Sequence, residues 1–97
     1  MFGFEKLEVW KRAIDFADHL YDATGGFPQD ELYGLRSQIR RAGVSVSANI
    51  AEGSGRSSKK DFERFVEFSY SSVLETVSHM TIAERRQFVT ATAYRTT

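Results

Sequence analysis

Ninety-seven residues make one small domain, with room for a single hydrophobic core and little stability to spare. With no cysteine, the chain has no disulfide framework, thiolate nucleophile or cysteine metal site, and a reducing, cytoplasmic setting is the default expectation. Charge cancels at 13 Lys+Arg against 13 Asp+Glu, the N-terminus turns charged at Glu5-Lys6, and no apolar run approaches the roughly 18 residues of a membrane span, so a soluble, unprocessed chain without a membrane partner is expected.

In chain order, Leu7, Trp10, Ile14, Ala17 and Tyr21 step by three and four, which predicts a helix over about 5–23. Val9, Ala13, Phe16 and Leu20 form a second apolar stripe beside the first. Thr24-Gly25-Gly26-Phe27-Pro28 breaks the pattern. It resumes with Leu32, Leu35, Ile39, Ala42, Val46 and Ile50, a second helix over about 29–52, and breaks again at Gly53-Ser54-Gly55. A third helix is predicted over about 58–86, with Ser57 or Ser58 as N-cap and Asp61 in its first turn. Its core line is Phe62, Phe65, Ser69, Val73, Met80 and Ala83, widened by Tyr70, Leu74 and Val77. Phe88-Val89 reads as a connection, Thr90 as a cap and about 91–97 as the stub of a fourth helix. The chain is therefore read as a single all-α domain over 1–97, built from antiparallel up-down helices.

The balanced charge is unevenly spread. Residues 1–35 carry three cations against seven acids, residues 36–64 carry seven against three, and the remainder balances. Arg36 and Arg40 lie one turn apart on one flank of the second helix, while Arg41 is expected on the opposite flank, so that two of the three can share a ligand. Arg56, Lys59 and Lys60 gather at the start of the third helix, where free N–H groups and the helix dipole favour anions. Lys59 can pair with Glu63 and Arg64 with Glu67, leaving Arg56 and Lys60 as the freest cations there. These six residues, Arg36, Arg40, Arg41, Arg56, Lys59 and Lys60, are the candidate nucleic-acid contacts. Acidic-to-basic helix pairing and a solvated corner explain the same residues without a ligand.

Catalytic chemistry finds no support. Gly53 to Lys60 lacks the Gly-Lys-Ser/Thr ending of a phosphate-binding loop. His19 among Asp15, Asp18 and Asp22 offers one soft nitrogen on a solvated face, and His79 near Glu75 has no second histidine at ligand spacing. The serines at 45–47 and 69–72 lack a histidine-carboxylate pair. Asn49 and Glu52 read as structural residues near the glycine corner. No catalytic residue, metal, cofactor or small-molecule substrate is expected.

Two stripes on the first helix and a widened third helix present more apolar surface than one core easily covers. Self-association is therefore expected, with Val9, Phe16, Leu20, Tyr70 and Leu74 at the contact.

One set of residues is more specific. Phe4-x-x-Leu7-x-Val9-Trp10-x-x-Ala13, Tyr33-Gly34-Leu35-x-x-Gln38-Ile39-Arg40-Arg41-Ala42, Ser45 through Ala51-Glu52-Gly53-x-Gly55-Arg56, and Ser58-x-x-Asp61-Phe62-x-Arg64-Phe65, with Glu75 and Ala83, together resemble the proteins encoded by intervening sequences of bacterial 23S ribosomal RNA genes. The resemblance spans residues 4–83. It implies an antiparallel four-helix bundle, here with three long helices and a truncated fourth. It also implies kinship with the accessory variability determinant of diversity-generating retroelements, a pentameric ring that binds nucleic acid. Ser47 stands where that family often has proline. The sequence thus points to a non-enzymatic homo-oligomer that binds RNA or DNA backbone, with a purely protein-binding helical adaptor as the alternative.

Overall fold

Residues 3–89 are described by the structure, a computed structural model. Three α-helices carry the fold: α1 (Glu8–Thr24), α2 (Leu35–Ser54) and α3 (Lys59–Arg85), with 3-10 turns at Gly3–Lys6 and Gln29–Glu31. Among the described residues there is no strand. The class is all-α; the stub expected over 91–97, and with it the four-helix form, lies outside the described residues.

The helices run up, down and up, with α2 packed against both neighbours. At about 1.5 Å per residue, the 27 residues of α3 span some 40 Å. That length sets the long dimension of the 44 × 21 × 20 Å molecule.

The second helix starts six residues later than its periodicity predicts. Pro28 opens a 3-10 turn in place of a helical one, and Leu32, counted into the α2 stripe, ends that turn. The Glu31 carboxylate then accepts the Leu35 backbone N–H at 2.9 Å, supplying the cap that Gly34 has no side chain to provide. At the other corner Ser58 caps α3, its hydroxyl accepting from the Asp61 N–H at 3.1 Å.

The core forms two clusters along the helix axes. Leu20, Phe27, Ile39, Met80 and Ala83 fill one end, and Ala13, Val46 and Ile50 the other, with Leu7, Trp10 and Val73 leaning on the second and Phe16 on both. Two glycines allow the close packing. A Cβ at Gly43 would collide with Leu20 Cδ1, and one at Gly53 would come within 2.7 Å of the Phe65 Cβ. Polar groups set the register of α2 on α3: the buried Ser69 hydroxyl donates to the Val46 carbonyl at 2.9 Å, and Ser45 donates to Ser72 at 2.6 Å.

The core line of α1 runs between the two predicted stripes. Ala13, Leu20 and Thr24 are buried, whereas Ile14 and Tyr21 from the first stripe and Val9 from the second remain exposed. α3 ends in a Schellman turn, with the Phe88 N–H bonded to Ala83 O and the Gln87 N–H to Glu84 O. Gln87 takes the left-handed φ of 62° that the turn requires. Phe88 then folds back until its ring lies 5.6 Å from that of Phe27.

Candidate nucleic-acid interface

The first turns of α2 and the last turn of α1 border a shallow, open cleft of about 560 Å³. Arg36, Arg40 and Arg41 all line it, together with Tyr21 and Tyr33 and the apolar side chains of Leu32 and Val44. The helical wheel places Arg41 about 100° from Arg40. The expected separation of Arg41 onto the opposite flank is therefore corrected: the cleft is wide enough to take in the outer face of α2 as well as its α1 flank.

Arg40 is the organised member of the set. Its Nε donates to the Thr24 hydroxyl at 2.8 Å, one terminal nitrogen donates to the Tyr21 carbonyl at 3.0 Å, and the guanidinium lies 4.3 Å from the Tyr21 ring centroid. Burial, and then the adjacent charge of Arg36, hold its pKa below the ordinary arginine value. Arg36 is half-buried, and its Nε is buried without a hydrogen-bond partner among the described residues. Arg41 is exposed. None of the three forms an ion pair with a carboxylate among the described residues. Like charges thus converge on a concave surface that supplies no counter-charge of its own, which is an environment suited to anions.

The second cationic group lies at the other end of α2. Arg56 follows Arg40 by sixteen residues, about 24 Å along a helix, so the six candidate contacts form two patches. Arg56 is not free, as its sequence neighbours suggested: it pairs with Glu52 at 3.4 Å and lies 4.7 Å from the Phe65 ring centroid. Lys59 reaches Glu63 at 4.0 Å, and Arg64 lies over Phe65 rather than pairing with Glu67. Lys60 is exposed and makes no ion pair among the described residues.

The remaining candidates are placed as follows. Asn49 donates to the Ser45 carbonyl at 2.8 Å within α2. His79 lies 3.3 Å from Glu75. Among the described residues no group of three or more histidine, cysteine or acidic side chains comes together as a metal site, and no helix is long and apolar enough to cross a membrane. Of the residues expected at an oligomer contact, Val9, Tyr70 and Leu74 are exposed. Leu20 is corrected to the chain's own core at 1% exposure, and half-buried Phe16 packs on both core clusters. Small residues at Ala13 and Gly43 let α1 approach α2 closely enough to draw Leu20 inside.

Tyr21 and Tyr33 line the cleft and were left out of the site by sequence reasoning, as was Thr24, which is buried and accepts from Arg40. Tyr21 was absorbed into a core stripe, and its link to Arg40 crosses two helices, which no local pattern reveals. Tyr33 carries a readable signal: an aromatic three residues before the first arginine, in the turn that opens α2.

The family model for the 23S rRNA-intervening sequence protein matches residues 5–97. No curated protein matches the chain.

Proposed function

The chain belongs to the 23S rRNA-intervening sequence protein family, and we propose that it is a non-enzymatic, homo-oligomeric helical protein that binds the phosphate backbone of RNA or DNA through the arginine cleft of α2. The observation that carries this reading is the convergence of Arg36, Arg40 and Arg41 on one concave surface without a carboxylate partner. Phosphate would supply the missing charge, and release of its condensed counterions would drive binding. Guanidinium groups suit that role because their fixed donors match phosphate oxygens. At the other end of α2, Lys60 adds a weaker contact, since Arg56 and Lys59 already have carboxylate partners.

Assembly is proposed from the outer side of α3. Val66, Tyr70 and Val77 share a face with Val73, which leans on the core, yet all three are exposed. A second copy of the chain is the partner proposed for this face; a ring of five, as the family resemblance implies, is one closed form of such an assembly. The same face supports the second reading, a protein-binding adaptor with no nucleic-acid role. Retention of single-stranded and duplex nucleic acid at low ionic strength, and its loss as salt is raised, separates the two. Binding that weakens with salt and with Arg36→Gln supports the cleft, and absence of binding at low salt leaves the adaptor.

A further inference from the structure

We propose that the arginine cleft is a seat for one unpaired nucleotide of a single-stranded nucleic acid, the base lying against Tyr33 and the apolar lining while the flanking phosphate meets Arg36 and Arg41. This rests on the nucleic-acid reading above and sharpens it to a strand type.

The cleft has two chemistries, and a duplex uses only one of them. Three guanidinium groups call for phosphate, but Leu32, Val44 and the tyrosine rings call for a flat apolar face. A duplex keeps its base faces inside its own stack and presents phosphates on a convex rod, so docking it here would leave the apolar lining in water. An unpaired nucleotide carries both groups on one short unit. The cleft, about 560 Å³ and open to solvent, has room for a single base with its sugar and phosphate while leaving the rest of the strand outside.

The side chains are already divided between the two tasks. Arg40 is held by Thr24 and by the carbonyl and ring of Tyr21, so it forms a fixed wall instead of a swinging contact. Arg36 is half-buried and Arg41 exposed, and neither has a carboxylate partner among the described residues. Tyr33 is 92% exposed and forms no hydrogen bond or ion pair in the described structure, so its ring can take a base with no contact to break first. Stacking on an aromatic ring is tolerant of base identity, which predicts a preference for strand type over sequence.

The test is binding of a labelled single-stranded pyrimidine oligonucleotide and of a blunt duplex of equal length, by fluorescence anisotropy at one low ionic strength. The proteins are the full chain and its Tyr33→Ala and Tyr33→Phe variants, each shown to keep its helical circular dichroism and melting temperature. Tyr33→Ala is expected to weaken single-strand binding about five- to a hundredfold, and Tyr33→Phe to stay within about twofold of the parent because the ring remains. Duplex binding should move by less than about twofold in either variant, since phosphate contacts alone hold it. Equal binding of both strand types with no response to Tyr33→Ala overturns this inference and leaves backbone binding standing. A free nucleoside monophosphate that competes as well as the oligonucleotide also overturns it, making the cleft a small-anion site. No retention of either nucleic acid overturns both readings together.

Discussion

Arg40 on α2 donates from Nε to the hydroxyl of Thr24, the last residue of α1, at 2.8 Å. Thr24 is fully buried and its hydroxyl donates a hydrogen bond to the Leu20 carbonyl at 2.7 Å, so one hydroxyl ties a charged side chain to the end of the neighbouring helix. Thr24→Val keeps the shape and deletes the relay. Hydrogen bonds to charged groups contribute about 1.5–3 kcal/mol, and a loss of that order is expected in urea unfolding. Arg40→Lys should lose a similar amount, because an ammonium cannot both stack on Tyr21 and reach two acceptors. A double-mutant cycle returning no coupling between positions 24 and 40 would dismiss the link.

Gly53 lies against α3 with no room for a side chain. An added Cβ would lie 2.7 Å from the Phe65 Cβ, an atom fixed to the α3 backbone, and 3.3 Å from the Phe62 ring. Gly53→Ala gains about 1 kcal/mol of helix propensity but must push two helices apart, and overpacking of this kind costs about 1–3 kcal/mol. A net fall in melting temperature is expected. Gly26→Ala is the control, since nothing lies within 4 Å of a Cβ there and its φ is negative, and it should be neutral or slightly stabilising.

Gln87 occupies the left-handed position of the Schellman turn with φ 62°. A side chain in that conformation costs about 1 kcal/mol relative to glycine. Gln87→Gly should therefore raise stability by about that amount and leave the circular dichroism unchanged. A destabilised variant would show that the turn is not the terminator of α3.

Much of the fold was legible because its punctuation is physical. Glycine and proline at 25–28 and Gly55 stand where helices end, and Ser58 followed by Asp61 is a capping pattern that depends on four neighbouring residues; Gly53, read as part of the second break, lies inside α2. The start of α2 was hidden because its cap is the Glu31 carboxylate folding forward onto Leu35, a choice made against a competing helical pattern at Leu32. The site was half legible. Arginine spacing located the cationic flank, but whether a cation is free depends on its neighbours in space. Arg56 found both Glu52 and the face of Phe65, and Arg41 found the cleft. Leu20 was misplaced because two adjacent apolar stripes do not reveal which side chain the space beside Gly43 on α2 will admit.

The exposed face of Val66, Tyr70 and Val77 leads to an expected self-association. At about 25 cal/mol per Å² of apolar surface removed from water, a contact burying a few hundred Å² contributes several kcal/mol before association costs. Sedimentation equilibrium should show mass rising with protein concentration, and melting temperature should rise with it. Tyr70→Glu with Val77→Glu should return the chain to a folded monomer. A parent protein that stays monomeric at high micromolar concentration would remove the proposed interface.

The most direct measurement is the salt dependence of nucleic-acid binding for the parent chain, for Arg36→Gln with Arg41→Gln, and for Arg56→Gln with Lys60→Gln. Each phosphate contact contributes about 0.7 to the log–log slope on single strands and about 0.9 on duplex. Losing the cleft pair should flatten the single-strand slope by about 1.4, and losing the corner pair by no more than about 0.7, since Arg56 is already paired with Glu52. A slope unchanged by the cleft pair, or flattened by the corner pair alone, would contradict the assignment of the arginine cleft as the phosphate-binding surface.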